Sequence, residues 1–263
     1  MKLFIVTIPG IGSKEPNYSA GLKKDLRAHF FNTPLYDQFE IIEALPFFEK
    51  KIDENQQALF ERLGKKNNLG GIMSPRKFVL EAFGDGVTYE HAADSKDSAY
   101  RKAHEHLAAI FSNVQKKMLA NPGSKLVVVA SSLGAHMFSN HLYDAQHEKG
   151  IFMGQTVTDQ EKLENLSHLA TIGCNIPLFL SGLTEEQIVA IRKPNNLDFT
   201  WDNYFDPDDV LGWPLKQLSD SYSKLVVDHE INTGMYVGSH LRYWDDNEFT
   251  VPFARKCLKL FKY

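Results

Sequence analysis

The chain has 263 residues, 43% of them hydrophobic and 24% charged, with a formal net charge of -4 and a pI near 6.2. This length and apolar content support one large domain with a well-buried core, and the lack of a basic excess argues against nucleic-acid binding. Cys174 and Cys257, the two cysteines, make neither a disulfide framework nor a metal-ligand spacing, so reduced structural thiols are expected.

In chain order, the apolar run from Leu3 to Ile8 predicts a first core strand, closed by Pro9-Gly10-Ile11-Gly12. The run lacks the length and cleavage site of a signal peptide. No stretch approaches the ~18 uninterrupted apolar residues of a membrane helix. A cytoplasmic location with no integral membrane segment is the expectation. The glycine turn is neither a Walker A loop, since no Gly-Lys-Ser/Thr follows, nor a dinucleotide fingerprint, since Glu15 stands where the third glycine belongs. What it offers is backbone that can approach a ligand directly after the first strand.

Leu22, Leu26 and Phe30 have helical spacing, which predicts a helix over 20–31, and 39–45 is a second strand closed by Pro46. A helix is expected over 49–63, a loop over 67–75, and 76–83 carries no clear period. Ala103, Leu107, Ile110, Phe111, Val114 and Met118 mark a long helix over 98–119, stopped by Asn121-Pro122-Gly123. After the next strand and helix, 167–173 reads as a short buried strand ending in glycine. Thr184 with Gln187 opens a short helix to 191, and this apolar region near 175–195 is a possible small cap over a pocket. Strands over 199–205 and 224–227 and a closing helix over 253–261 complete the chain. Alternating strands and helices predict an α/β fold, a mostly parallel sheet with helices on both faces, in a single domain over 1–263.

The stretch Lys125-Leu126-Val127-Val128-Val129-Ala130-Ser131-Ser132-Leu133-Gly134 carries the chemistry. A β-branched apolar run breaks directly into a small-residue turn and then a helix. That is the strand, elbow and helix of a G-x-S-x-G nucleophile turn, with Ala130 in the place of the first glycine and Ser132 in the place of the nucleophile. The plainer reading of Ser132 is a helix N-cap. A serine nucleophile needs a base, an acid to orient the base, and donors for the oxyanion that develops. His240, late in the chain between Gly238 and Tyr243-Trp244, is the candidate base. Asp208 is the candidate acid, two positions before the apolar Val210 and just past a strand, with Asp209 and Asp206 as alternates. The backbone N–H groups of Leu133 and Ile11 are the candidate oxyanion donors.

Other residues have plainer readings. His104 and His106 are two apart, and His136 and His141 five apart, neither being the i, i+4 pairing of a helical metal site, so solvated or capping histidines are expected and no metal. Asp85 shapes a turn between two glycines, and Trp201, Trp213 and Tyr243 read as core or rim packing.

With these motifs in order, Ser132, then Asp208, then His240, the chain resembles serine hydrolases of the α/β-hydrolase superfamily, of the lipase/esterase-like kind. The segment Ser239-His240-Leu241 with Tyr243-Trp244 is similar to the histidine loop of several such proteins. The resemblance spans most of the chain. It implies cleavage of a small-molecule carboxylic ester or acyl substrate through an acyl-enzyme, without a cofactor. Thioester hydrolysis is an alternative within the same chemistry, and a non-catalytic binding protein of the same fold is an alternative outside it.

Overall fold

A computed structural model describes residues 1–10, 16–44, 58, 84, 86, 87, 89, 98–234 and 236–261. The expectations for 49–63 (residue 58 apart), 67–75 and 76–83, and those for Ile11 and Asp85, lie outside the described residues. Six strands are described: β1 (Leu3–Ile8), β2 (Phe39–Glu43), β3 (Lys125–Ser131), β4 (Leu166–Ile172), β5 (Thr200–Phe205) and β6 (Val226–Glu230). The helices whose ranges are described are α1 (Ala20–Phe30), α2 (Ala99–Leu119), α3 (Leu133–His147), α4 (Ile176–Leu180), α5 (Asp220–Ser223) and α6 (Asn247–Lys259).

The strands form one sheet in the order β2-β1-β3-β4-β5-β6, with every neighbouring pair parallel. Both faces are covered, which is why β1 and β3 are nearly continuous apolar runs. Side chains alternate between the faces. Phe4, Val6, Ile8, Leu126 and Val128 pack with Leu107, Phe111 and Val114 of α2 and Phe138 and Leu142 of α3. Leu3, Ile5, Val127 and Val129 pack on the other face with Leu22, Leu26 and Phe30 of α1 and Phe249, Phe253 and Cys257 of α6. The chain steps outward from β1 to β2 and then returns to the far side of β1 to lay down β3. Such a reversal sends consecutive crossover helices to opposite faces and opens a crevice at the carboxyl ends of β1 and β3.

Several boundaries differ from expectation, the last strand among them, expected over 224–227 and found at Val226–Glu230. The helix expected over 184–191 is a single 3-10 turn, Glu185–Gln187, after which Ile188 is extended and no regular element follows before β5. The Thr184 N–H donates to Gln187 Oε1 at 2.9 Å, so the capping motif is used while the helix beyond it is not, and Ala190 and Ile191 turn into the core instead. The closing helix starts earlier than expected, at Asn247, because Asp246 Oδ1 accepts from the Glu248 N–H and the exposed Pro252 is accommodated inside it.

Candidate active site

Ile8 and Ala130 are register partners at the carboxyl ends of β1 and β3, so the residues that follow these strands meet in the crevice. Ser132 links β3 to α3 at φ 50° and ψ -125°, a conformation costing a non-glycine residue roughly 1–3 kcal/mol. Its neighbours hold it there. The Ser132 N–H donates to the Ile172 carbonyl on β4 and the Ser132 carbonyl accepts from the Ala135 N–H, each at 3.0 Å. Two glycines let the chains close around this turn. A Cβ on Gly10 would lie 2.4 Å from Ser132 Cβ, and one on Gly134 would lie 2.4 Å from the Pro9 carbonyl oxygen. Neither position has room for a side chain.

The strained turn directs the Ser132 hydroxyl away from its own helix, to which it makes no capping hydrogen bond. Ser132 Oγ lies 2.8 Å from His240 Nε2. The other ring nitrogen, Nδ1, lies 2.8 Å from Asp209 Oδ2 and 3.0 Å from Oδ1. An ionised carboxylate only accepts, so Nδ1 carries the proton and Nε2 is left to accept from the serine hydroxyl. Ser132, His240 and Asp209 are all buried, at 2%, 5% and 4% exposure. Withdrawal from water strengthens each of these bonds.

Asp209, and not Asp208, is therefore the carboxylate facing His240. The Asp209 N–H donates to the Asp206 carbonyl, closing a turn whose middle residues, Pro207 and Asp208, are exposed. Asp208 contributes its backbone N–H to Asp206 Oδ1 at 2.8 Å. Asp206, the other alternate, is buried but turns the opposite way, its Oδ2 accepting from the N–H and hydroxyl of Thr233 at 2.6 and 2.9 Å. Asp209 is fixed further by the Leu211 N–H on Oδ1 and the Tyr243 hydroxyl on Oδ2, both at 3.0 Å. Burial, reinforced by the Asp209 carboxylate, pushes the Tyr243 hydroxyl well above the usual tyrosine range, so it stays protonated and donates. The sequence predicts only packing for Tyr243, and no spacing or motif sets it apart from the other buried aromatics.

Leu133, the first residue of α3, is buried beside Ser132, and its N–H has no acceptor within the helix. Leu133, Met137 and Leu211 form a small apolar cluster with Tyr89 and Ala103, against which Tyr100, Leu178 and Phe179 pack. Phe179 also stacks on His136, with ring centroids 4.0 Å apart.

The expectation of solvated or capping histidines is overturned for three of them. His104, His136 and His141 are buried, the His104 and His141 rings meeting between α2 and α3, whereas His106 is exposed. Tyr89 Oη lies 2.8 Å from His104 Nε2, and the His141 ring sits against Phe111 and Phe152. Burial, with His141 and His136 adding to it, pushes His104 down to about 2, and burial alone pushes His141 down to about 3. Among the described residues, no three His, Cys, Asp or Glu side chains are placed to hold a metal ion, and no helix is long and apolar enough to cross a membrane.

No family model and no curated relative matches the sequence. Among solved structures, the chain is similar to a cutinase-like protein from Cryptococcus sp. at 12% identity and a TM-score of 0.45, over 98% of this chain and 94% of that one. It is also similar to a pyrethroid hydrolase at 11% identity and a TM-score of 0.43, over 100% of both chains. A lipase-esterase related protein from Clostridium acetobutylicum is similar at 8% identity and a TM-score of 0.35, over 98% of this chain and 94% of that one.

Proposed function

We propose that the chain is a serine hydrolase acting on carboxylic esters. The observation that carries this reading is the unbroken line from Ser132 Oγ through His240 to Asp209, with 2.8 Å at each junction. In the reaction, His240 Nε2 takes the Ser132 proton as Oγ attacks the ester carbonyl carbon, and the imidazolium formed is stabilised by Asp209. The oxyanion accepts from the Leu133 N–H at the start of α3, where the helix dipole also favours negative charge. Collapse of the tetrahedral species passes the proton to the leaving alcohol and leaves an acyl-Ser132. Water, deprotonated by His240, then releases the acid and restores the serine.

The apolar cluster of Leu133, Met137 and Leu211 supports an acyl group of hydrophobic character on that side of Ser132. The segment 175–195 contributes Leu178 and Phe179 to its edge, as a small cap over the acyl end would. The non-catalytic reading, with Ser132 as a helix cap, is disfavoured because the side chain does not cap α3.

The test is covalent labelling by a fluorophosphonate probe, followed by turnover of esters and thioesters of graded chain length. Labelling that disappears in Ser132→Ala supports the proposal. Absence of labelling in folded wild-type protein, or labelling that persists in Ser132→Ala, rejects it. Faster turnover of the thioester series would move the assignment to thioester hydrolysis.

A further inference from the structure

Tyr243 is bound to the acid loop at two points. Its hydroxyl accepts from the Asp206 N–H at 2.9 Å and donates to Asp209 Oδ2 at 3.0 Å. A phenol has one proton, and an amide N–H can only donate, so the proton of Tyr243 is committed to Asp209. The oxygen it reaches is the one 2.8 Å from His240 Nδ1. Two donors therefore share one carboxylate oxygen.

The ring has little freedom to slide away. Tyr243 is 1% exposed. A Cβ on Gly173 would come within 2.7 Å of its Cε2, and one on Gly212 within 3.0 Å of its hydroxyl oxygen. Behind it, the buried Asp206 carboxylate binds Thr233, whose hydroxyl also lies 2.9 Å from the carbonyl of Ser239, the residue before His240. The acid loop and the histidine segment are thus tied together through Tyr243 on one side and Thr233 on the other.

We propose that Tyr243 is a positioning residue that tunes the basicity of His240, by sharing the Asp209 oxygen to which the imidazole donates. The inference rests on the reading of Ser132, His240 and Asp209 as a catalytic line. A donor on a carboxylate oxygen draws negative charge from it and weakens its hold on any second donor. Tyr243 therefore moderates the pull of Asp209 on the His240 Nδ1 proton. The ionisable groups facing this junction are Asp209 and Tyr243 directly and Asp206 behind them, while Arg242 on the histidine segment reaches toward Gly234.

The experiment follows the His240 Nδ1 proton by NMR of histidine-labelled protein, comparing wild type with Tyr243→Phe. The resonance is expected to move downfield in the variant, because Asp209 accepts more strongly from the imidazole alone. The pH of half-maximal probe labelling should rise by about 0.5–1 unit, a three- to tenfold change in proton affinity. Tyr243→Phe also leaves the buried Asp206 N–H without its acceptor, so a second variant guards against loss of folding. Difluorotyrosine placed at 243 keeps the shape and both contacts but donates more strongly, and should move the proton upfield. An unmoved resonance in both variants, or shifts in the same direction, overturns the proposal. If wild-type protein resists the probe, the hydrolase reading fails, while the proton resonance still decides the role of Tyr243.

Discussion

His240 Nδ1 meets both oxygens of Asp209, at 2.8 and 3.0 Å, while Asp208, one residue earlier, faces solvent. Adjacent aspartates thus have opposite surroundings, and their amides should separate cleanly. Asp209→Asn replaces an acceptor with a group that can donate, favouring the wrong imidazole tautomer, and kcat is expected to fall by about 10⁴-fold. Asp208→Asn keeps the backbone bond to Asp206 and should leave kcat within about twofold, as for an exposed site away from any network. Ester turnover by the two purified variants, with melting curves to show that both fold, checks this pair.

The strain at Ser132 leads to a prediction about stability. At φ 50° and ψ -125°, alanine inherits the serine's backbone cost whereas glycine is relieved of it. Both variants lack the hydroxyl and should be inert to the probe. Ser132→Gly should nevertheless be more stable than Ser132→Ala by about 1 kcal/mol, the relief of strain exceeding glycine's entropic cost. Urea denaturation of the two variants measures the difference, and equal midpoints would show that the elbow stores no strain.

The buried histidines predict a pH dependence. Burial pushes His104, His141 and His168 down to about 2, 3 and 4, from an unfolded value of 6.5. Below pH 6.5 the unfolded chain binds protons that the folded chain does not, so this stability is complete above 6.5 and lost as the pH falls. Asp144 has the opposite sign. Burial raises it from 3.8 to about 6, so its contribution is present below about 4 and lost as the pH rises through 6. The three histidines outweigh it. His141→Leu removes one of them, together with a buried Nδ1 that has no hydrogen-bond partner among the described residues. Between pH 6.5 and 4, the loss of stability should become shallower by up to about 1.4 kcal/mol per pH unit. Denaturant midpoints across that range test it, and an unchanged slope would refute a neutral His141.

The sheet was legible because strands buried on both faces are written as unbroken β-branched runs, as in Leu126 to Val129. The elbow was legible because Ser132 follows such a run with no loop. The choice among Asp206, Asp208 and Asp209 was not, because it depends on which apolar neighbour points inward. Counting back from Val210 selects Asp208, but Val210 is 63% exposed and Leu211 is 6% exposed. Counting back from Leu211 selects Asp209. A turn fixes that difference, and Asp-rich turns carry no periodicity to reveal it. His104 was hidden for a related reason. Its spacing from His106 showed that the two face different ways, while its burial depends on α3 packing across it.

The line at the crevice joins residues far apart in sequence, with Ser132 and His240 separated by 108 positions and Asp209 and His240 by 31. Synthesis therefore delivers the serine long before its base. Helix α6, which seals one face of the sheet with Phe249 and Phe253, comes later still. The stretch from His240 through α6 both docks the imidazole and covers that face of the sheet. Reactivity of Ser132 consequently waits on the same stretch that covers this face, and a probe that captures the serine reports molecules in which residues 240–259 have docked.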